Sequence, residues 1–317
     1  MVSIKDVAKA ANVSTATASR ALRGVGRTSK ATIARVKKAA SDLGYVVNTS
    51  AQQLKNYAPK RVGFIISDAN NSYYLSILAS LRGALKEQGY ELTISFSEER
   101  KSEEKKAFQT LIGIGASAIL FTPSCDTNEE IIETAKKNGV QAIQLFRDVY
   151  PNLDSIINDD EQGAFDATDW LAKQGMEKVL LIDASYSNID YAKVKPSRTE
   201  GFRRALRGKD IASKILHLPL YGYSVKLLKK AIDSFDPDAI VAGTVSYGYD
   251  VLKLLKGRRR QQTEIISFDD NEWFELMGIS AIHQDASLLS ESIKKLIFEP
   301  HEKPQKIKIP EQLIVRG

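Results

Sequence analysis

Thr15, Ala16, Thr17, Ser19 and Arg20 stand together in the run VSTATASRAL, Val13 to Leu22. Carried on one exposed helical face, these hydroxyls, one methyl and one guanidinium fit a duplex groove. A major groove about 12 Å wide admits a helix, and arginine can donate two parallel hydrogen bonds to O6 and N7 of a guanine. A second set of candidates lies where short apolar runs end: Arg147-Asp148, Asp159-Asp160, Arg198 and Asp269-Asp270. Carboxylates and guanidinium groups pair with adjacent hydroxyls of a polyol, and aromatic rings cover its CH faces. Asn70 adds a polar group to this set, and Tyr73, Tyr74, Phe146, Tyr186, Tyr247 and Trp273 are the candidate rings.

The first group needs a small helical unit to present it. Ser3 and Asp6 resemble a capping box, with Ile4, Val7, Ala8 and Ala11 forming an apolar face behind them. Asn12 suits the positive φ of a tight turn, and Ser14 can cap a second helix whose Ala18, Ala21 and Leu22 return to the core. A third helix is expected from Ser29 to Leu43, with Gly44 as its stop and Lys30, Arg35, Lys37 and Lys38 outward, suited to phosphates or to solvent.

The second group needs strands. Apolar runs at Arg61–Ser67, Glu91–Ser97, Ala118–Phe121, Ala142–Phe146, Ser155–Asn158, Lys178–Asp183, Lys214–Leu218, Ala239–Val241 and Glu264–Phe268 alternate with amphipathic segments. The segments are Leu75–Gln88, Glu103–Ile114, Asn128–Asn138, Gln162–Gln174, Ser197–Arg207 and Tyr247–Leu255, followed near the end by one strand-like run, Lys306–Val315. This is the pattern of α/β architecture with doubly wound parallel sheets, too long for one sheet, with a ligand crevice at the carboxyl ends of the strands.

Charge separates the two parts. Met1 to Arg61 holds twelve Lys and Arg against Asp6 and Asp42, whereas the remainder holds 33 basic against 37 acidic residues. A positive head on a slightly negative body points to a polyanion-binding module joined to something else. Cys125 is the single cysteine, so no intrachain disulfide is possible, and neither it nor His217, His283 and His301 has metal-ligand or nucleophile spacing. No cofactor is expected. The N-terminus lacks an apolar signal segment and no run approaches membrane-spanning length, so a cytoplasmic protein without membrane contact is expected.

Ile4-Lys5-Asp6-Val7-Ala8, Val13-Ser14, Thr17, Ser19-Arg20 and Leu43-Gly44-Tyr45 resemble the headpiece of the lactose-repressor (LacI/GalR) family of bacterial transcription regulators, and the likeness runs through the whole chain. The resemblance implies a helix-turn-helix headpiece over 1–47, a hinge helix and linker over 48–60, and a periplasmic-binding-protein-like core over 61–317. The core's N-lobe would span about 61–158 and 286–299, and its C-lobe about 159–285 and 300–317. It implies base contacts at Thr15, Ala16 and Arg20 and backbone contacts at Ser14, Thr17 and Ser19. It also implies a hinge at Asn48, Ala51 and Leu54, the leucine wedging into the minor groove. Arg198, in an R-x-x-GF motif, and Asp269 match effector-binding positions; Asn70, Tyr73, Tyr74, Arg147 and Asp159 complete the effector set. Two departures stand out: Val47 where the family usually has proline, and Thr244-Val245 where it usually has Asn-Asp.

The function implied is a homodimeric regulator, a repressor of carbohydrate-related genes, whose grip on double-stranded operator DNA is set by a sugar or sugar derivative between the lobes. The body alone would fit a soluble sugar-binding receptor, which the basic head and missing signal segment disfavour. A sugar-modifying enzyme is the remaining rival.

Overall fold

Alanines where helices cross let the N-terminal unit close on itself. In the computed structural model, which describes residues 4–23, 28–43, 60–69, 71–186, 193–220, 222–255 and 262–316, helix α1 (Ile4–Ala10) meets α2 (Thr15–Arg23) and α3 (Lys30–Asp42). Ala8, Ala11, Ala18 and Ala21 are buried there with Val7 and Val36. Asn12 turns the chain at φ +49, a conformation asparagine tolerates better than other side chains. Ser14 Oγ accepts the Thr17 amide at 3.1 Å, and Ser29 Oγ the Thr32 amide at 3.2 Å, so each helix starts on a hydroxyl cap. The expected Gly44 stop, Val47 and the hinge residues Asn48, Ala51 and Leu54 lie outside the described residues.

The chain divides into two units, Met1–Ala58 and Pro59–Gly317. The second unit alternates strand and helix: β1 (Lys60–Ile66), α4 (Tyr73–Glu87), β2 (Tyr90–Phe96), α5 (Lys101–Gly113), β3 (Ala116–Phe121), α6 (Glu129–Lys137), β4 (Gln141–Leu145), β5 (Asp154–Asn158), α7 (Asp160–Lys173) and β6 (Lys178–Ser185). It continues with α8 (Ser197–Leu206), β7 (Ala212–Pro219), α9 (Val225–Phe235), β8 (Ala239–Ala242), α10 (Val245–Leu254), β9 (Glu264–Phe268), α11 (Glu272–Leu276), β10 (Ser280–Gln284), α12 (Ala286–Phe298), β11 (Lys306–Ile309) and β12 (Glu311–Ile314).

These strands form two sheets, ordered β11-β5-β4-β3-β1-β2 and β12-β10-β9-β8-β6-β7. All pairings are parallel except β10 with β12. Each sheet is apolar on both faces because helices cover both. On β1, Phe64 and Ile66 pack under α4 and α12, whereas Ile65 turns to α5 and α6. The second sheet is likewise sandwiched, between α9, α10 and α11 on one face and α7 and α8 on the other. No described helix is long and apolar enough to cross a membrane.

The chain passes between lobes three times, at Asn158–Asp160, Gln284–Ala286 and Ile309–Glu311. The last crossing corrects the expected lobe boundaries and the single strand over 306–315. Lys306–Ile309 pairs in parallel with β5 of the first lobe, and only Glu311–Ile314 joins the second. Pro310, with no N–H to give a ladder, separates the two strands and lets the chain change sheets. Elements α9, α11, β10 and α12 have no counterpart in the sequence reading. Two of them are five residues long, below what periodicity resolves, but Leu228, Ala231 and Ile232 give α9 a helical spacing that sequence could have shown.

Glu311 opens β12 with one carboxylate oxygen accepting Gln284 Nε2 at 2.8 Å. The residue is half-buried as a whole, but its Oε2 is sealed against α7 without a partner, where a Cβ on Gly163 would run into it. Burial, then Asp160, push this carboxyl well above the usual range, against the pull of Arg198. A folded pKa above the unfolded one means stability that is present in acid and lost as pH rises through the folded value. Glu311→Gln should therefore melt higher than the parent at about pH 8, with the gap closing as pH falls toward about 4, where an ordinary glutamate is itself protonated. Calorimetry that found the largest gain in acid would contradict this account.

Candidate functional site

Ala18 and Ala21 bury one side of α2 completely, so its other side must face out. Ser14, Thr15, Ala16 and Arg20 are exposed there, with Thr17 and Ser19 half-buried between them. Ser14 Oγ and Thr17 Oγ1 are 2.9 Å apart, and Arg20 Nε donates to the Ala16 carbonyl one turn back at 3.3 Å. These local bonds limit side-chain freedom before any ligand arrives. Lys30, Arg35, Lys37 and Lys38 are exposed on α3, which gives the same unit positive charge without further hydrogen-bonding pattern.

In the second unit, a cavity of about 90 Å³ lies between the lobes, with a larger opening of about 370 Å³ that shares Phe146, Arg147, Asn158, Asp160, Tyr186 and Arg198 with it. The R-x-x-GF motif explains how Arg198 gets there. On α8, Phe202 is fixed in the second-lobe core, and a Cβ on Gly201 would run into the Glu161 carbonyl oxygen of α7. Only glycine allows the two helices this close. At the head of α8, Arg198 donates from Nε and Nη2 to Asp160 Oδ1 at 3.0 and 2.9 Å and from Nη1 to the Gly243 carbonyl. Its guanidinium carbon lies 4.2 Å from the centre of the Phe268 ring.

Asp269 follows β9 at φ +61, a turn that aims its carboxylate across the gap, where it accepts Asn71 Nδ2 of the first lobe at 2.9 Å. Burial raises its pKa, with Arg198 opposing. A second interlobe bond runs from Asn271 Nδ2 to Ser72 Oγ at 2.7 Å. Asp270 turns the other way, to Arg316 at 2.7 and 2.9 Å. Thr244 lines the cavity but spends its hydroxyl on capping α10, accepting the Tyr247 amide at 3.3 Å, and Val245 is buried in the core.

The other expected residues divide. Tyr73 lines the cavity against Phe146, ring centres 5.8 Å apart. Its hydroxyl makes no hydrogen bond of good geometry, although Asn158 sits close enough to temper the rise in pKa that burial causes. Tyr74 also reaches the wall, but its hydroxyl bonds Ser67 at 2.8 Å and Thr122 at 3.0 Å within its own lobe, and burial pushes it up to about 12. Arg147 is buried under Tyr186, and two of its nitrogens clasp Glu99 at 2.7 and 2.8 Å while one also reaches the Pro123 carbonyl. Asp159 faces only the outer opening, capping α7 and holding Lys308 at 3.1 Å.

Three expectations need correction. Asp160, the residue after Asp159, is the one paired with Arg198; strand-end reasoning found the pair but not which member turns inward. Tyr247 is fully buried with its hydroxyl donating to the Leu218 carbonyl at 2.9 Å, and Trp273 packs on Tyr249 and Phe274, so neither ring lines the cavity. Asn70 lies outside the described residues; its neighbour Asn71 is the one that reaches Asp269. Sequence reading also missed Asn158 and Gln284, whose only signal is their position at lobe crossings. Among the described residues no group of His, Cys, Asp and Glu could hold a metal ion.

Comparison with known proteins adds to this geometry. Residues 59–314 match the family described as periplasmic binding proteins and sugar binding domain of LacI family, and residues 3–48 match bacterial regulatory proteins, lacI family. Catabolite control protein A of Priestia megaterium is 26% identical over 279 residues, covering 85% of this chain and 82% of that protein. The sucrose operon repressor of Lactococcus lactis subsp. lactis is 23% identical over 305 residues, covering 94% and 93%. Among solved structures, the lac repressor dimer bound to operator and the anti-inducer ONPF superposes with a TM-score of 0.75 at 21% identity, covering 99% of this chain and 98% of that one, a likeness of fold. With an N-terminal helical unit that turns a hydroxyl-and-arginine face outward, a two-lobed core with a half-buried Arg-Asp pair at its cleft, and family matches over both, the chain belongs to the LacI family of bacterial regulatory proteins.

Proposed function

We propose that this chain is a sequence-specific transcription regulator, a homodimeric repressor of carbohydrate-related genes, whose operator affinity is set by a sugar or sugar derivative in the interlobe cleft. The observation that carries the reading is the exposed α2 face, small and hydroxylated with the Arg20 guanidinium on it, on a unit whose opposite face is packed. Arg20 reads a guanine, Thr15 and Ala16 touch neighbouring base edges, and Ser14, Thr17 and Ser19 bond phosphates. Asn48, Ala51 and Leu54 form the hinge over the minor groove. The solved lac repressor dimer on its operator supports the two-fold arrangement, and the sucrose operon repressor supports a sugar-linked role. As a family of regulators, it carries no expectation of catalysis, and the cytoplasm is where operator DNA is reached.

In the core, Arg198 and Asp269 are the central effector contacts, with Tyr73, Asp160 and Asn70 around them. Arg147 and Tyr74 shape the wall, and Asp159 guards the outer opening. The two lobes are joined by the Asn71–Asp269 and Asn271–Ser72 bonds. A ligand that competes for Asp269 therefore biases the arrangement of the lobes, and operator binding must bias ligand affinity by the same factor. Exposed apolar side chains on both lobes, Leu75 and Phe96 on the first and Leu276 and Met277 on the second, with Leu276 at 87% exposure, form the surface for a second copy.

Arg20→Ala should weaken operator binding by about 1–3 kcal/mol and relax preference at one base pair per half-site; a mobility-shift assay with unchanged base discrimination would remove it from the reading surface. Arg198→Ala and the charge-keeping Arg198→Lys should both retain operator binding and lose at least about tenfold in effector affinity, the cost of a charged hydrogen bond. Full ligand release of operator by Arg198→Lys would show that its fork is not used. Leu75→Asp combined with Leu276→Asp should change the mass seen by light scattering from two chains to one, and a dimer that survives would move the interface elsewhere.

A further inference from the structure

We propose that the cleft takes a polyhydroxylated ligand that carries no phosphate or other anionic group; this deepens, and rests on, the effector-site reading above. The cavity wall offers polar atoms without partners, the Tyr73 hydroxyl, which can donate or accept, and two amide oxygens, which only accept. Asn158 Oδ1 and Gln284 Oε1 are buried with no hydrogen bond, their residues only 7% and 4% exposed. Each comes from a different lobe crossing, and both residues line the cavity. The orientation of Gln284 is fixed because its Nε2 donates to Glu311 at 2.8 Å, so Oε1 is the atom left without a partner. Asp269 stands beside them, accepting from the Asn71 amide across the cleft and from the Val245 N–H within its own lobe. A ligand that satisfies these oxygens must donate, as sugar hydroxyls do.

The cations on the same wall are already committed. Arg147 holds Glu99 through two parallel bonds and the Pro123 carbonyl through a third. Arg198 is taken by Asp160 and the Gly243 carbonyl. Among the described residues these are the cations lining the inner cavity, so a phosphate placed there would have to break a buried ion pair and sit near Asp269 as well. At the outer opening Lys193 pairs with Asp126 at 3.2 Å and Lys308 with Asp159 at 3.1 Å, while Lys195 is exposed. Lys193 and Lys308 would have to leave their carboxylates to hold a phosphate there, and Asp160, Glu161 and Asp183 line the same opening and would repel it. Phe146, Tyr73 and Tyr186 supply flat apolar surface for the CH faces of an uncharged ring.

The test uses the full chain in thermal-shift and calorimetric titrations with matched probes: glucose, fructose, ribose and mannose against glucose 6-phosphate, fructose 1-phosphate, ribose 5-phosphate and mannose 6-phosphate. At least one unphosphorylated sugar should raise the melting temperature by mass action, and its phosphate should bind at least about tenfold more weakly. Asp269→Asn should narrow that gap by removing a repulsive carboxylate. A phosphate ester that binds as tightly as its parent overturns the inference and leaves the effector reading in place. A panel in which nothing binds overturns both, and an operator mobility shift on the same preparation reports separately on the DNA-binding unit.

Discussion

The pairing of Arg198 with Asp160 fixes the second-lobe wall of the cleft, where the start of α8 meets the start of α7. A guanidinium taken out of water is tolerated only with its donors satisfied, since the desolvation of an unpaired charge costs several kcal/mol. Arg198 meets that demand with a carboxylate from the first lobe crossing, a carbonyl after β8 and the face of Phe268. Each partner comes from a different strand end, so the pair forms only when β5, β8 and β9 end in register. Gly201 is the steric condition for this, because a side chain there would hold α8 away from α7 and draw Arg198 back. The R-x-x-GF spacing thus encodes one requirement: a charge at the cleft, a gap one helical turn later, and an anchor beside it.

How much of this the sequence disclosed depended on how local the cause was. The turn at Asn12 and the caps at Ser14 and Ser29 are settled within four residues of themselves, and the head followed from such signals. Apolar strands buried on both faces likewise declared themselves as short runs. The lobe boundary near the C-terminus did not, since Lys306–Ile309 and Glu311–Ile314 read as one strand. What separates them is a missing N–H at Pro310 whose effect depends on which sheet edge lies nearby. The choice between Asp159 and Asp160 had the same character. Either could cap α7, and only the position of α8 in space decides which one meets a guanidinium. Aromatic residues were least legible, because Tyr247 and Tyr73 look alike in sequence and differ only in whether a carbonyl at the end of β7 is within reach of the ring hydroxyl.

The interlobe hydrogen bonds are weak ones, which suits a switch. The Asn71–Asp269 and Asn271–Ser72 bonds each contribute on the order of 1 kcal/mol net. Beside them a small apolar contact crosses, Val194 and Tyr186 packing against the first-lobe core, while the bulk of each core belongs to its own lobe. A ligand of modest affinity that replaces one of these bonds can therefore redistribute lobe arrangements without loosening either lobe. Moving a population from one per cent to ninety-nine needs about 5.5 kcal/mol of differential binding. The cleft's unmatched acceptors are a direct source of such a difference. Their desolvation is already incurred in the empty protein, so a donor that satisfies them gains more than it would from groups still exposed to water.

Charge partition along the chain serves the same end. Twelve basic residues against two acidic ones up to Arg61, followed by an acidic excess of four, mean that nonspecific attraction to phosphate resides in the head while the core is weakly repelled. Counterion release then supplies affinity through the head without drawing the effector-binding surface onto the duplex. Lysines and arginines that contact phosphates hold a protein in place without reading bases, so under the function proposed above sequence discrimination falls to Arg20 and the small side chains exposed on α2. One electrostatic arrangement thus directs the polyanion to the N-terminal unit and leaves the core to its effector.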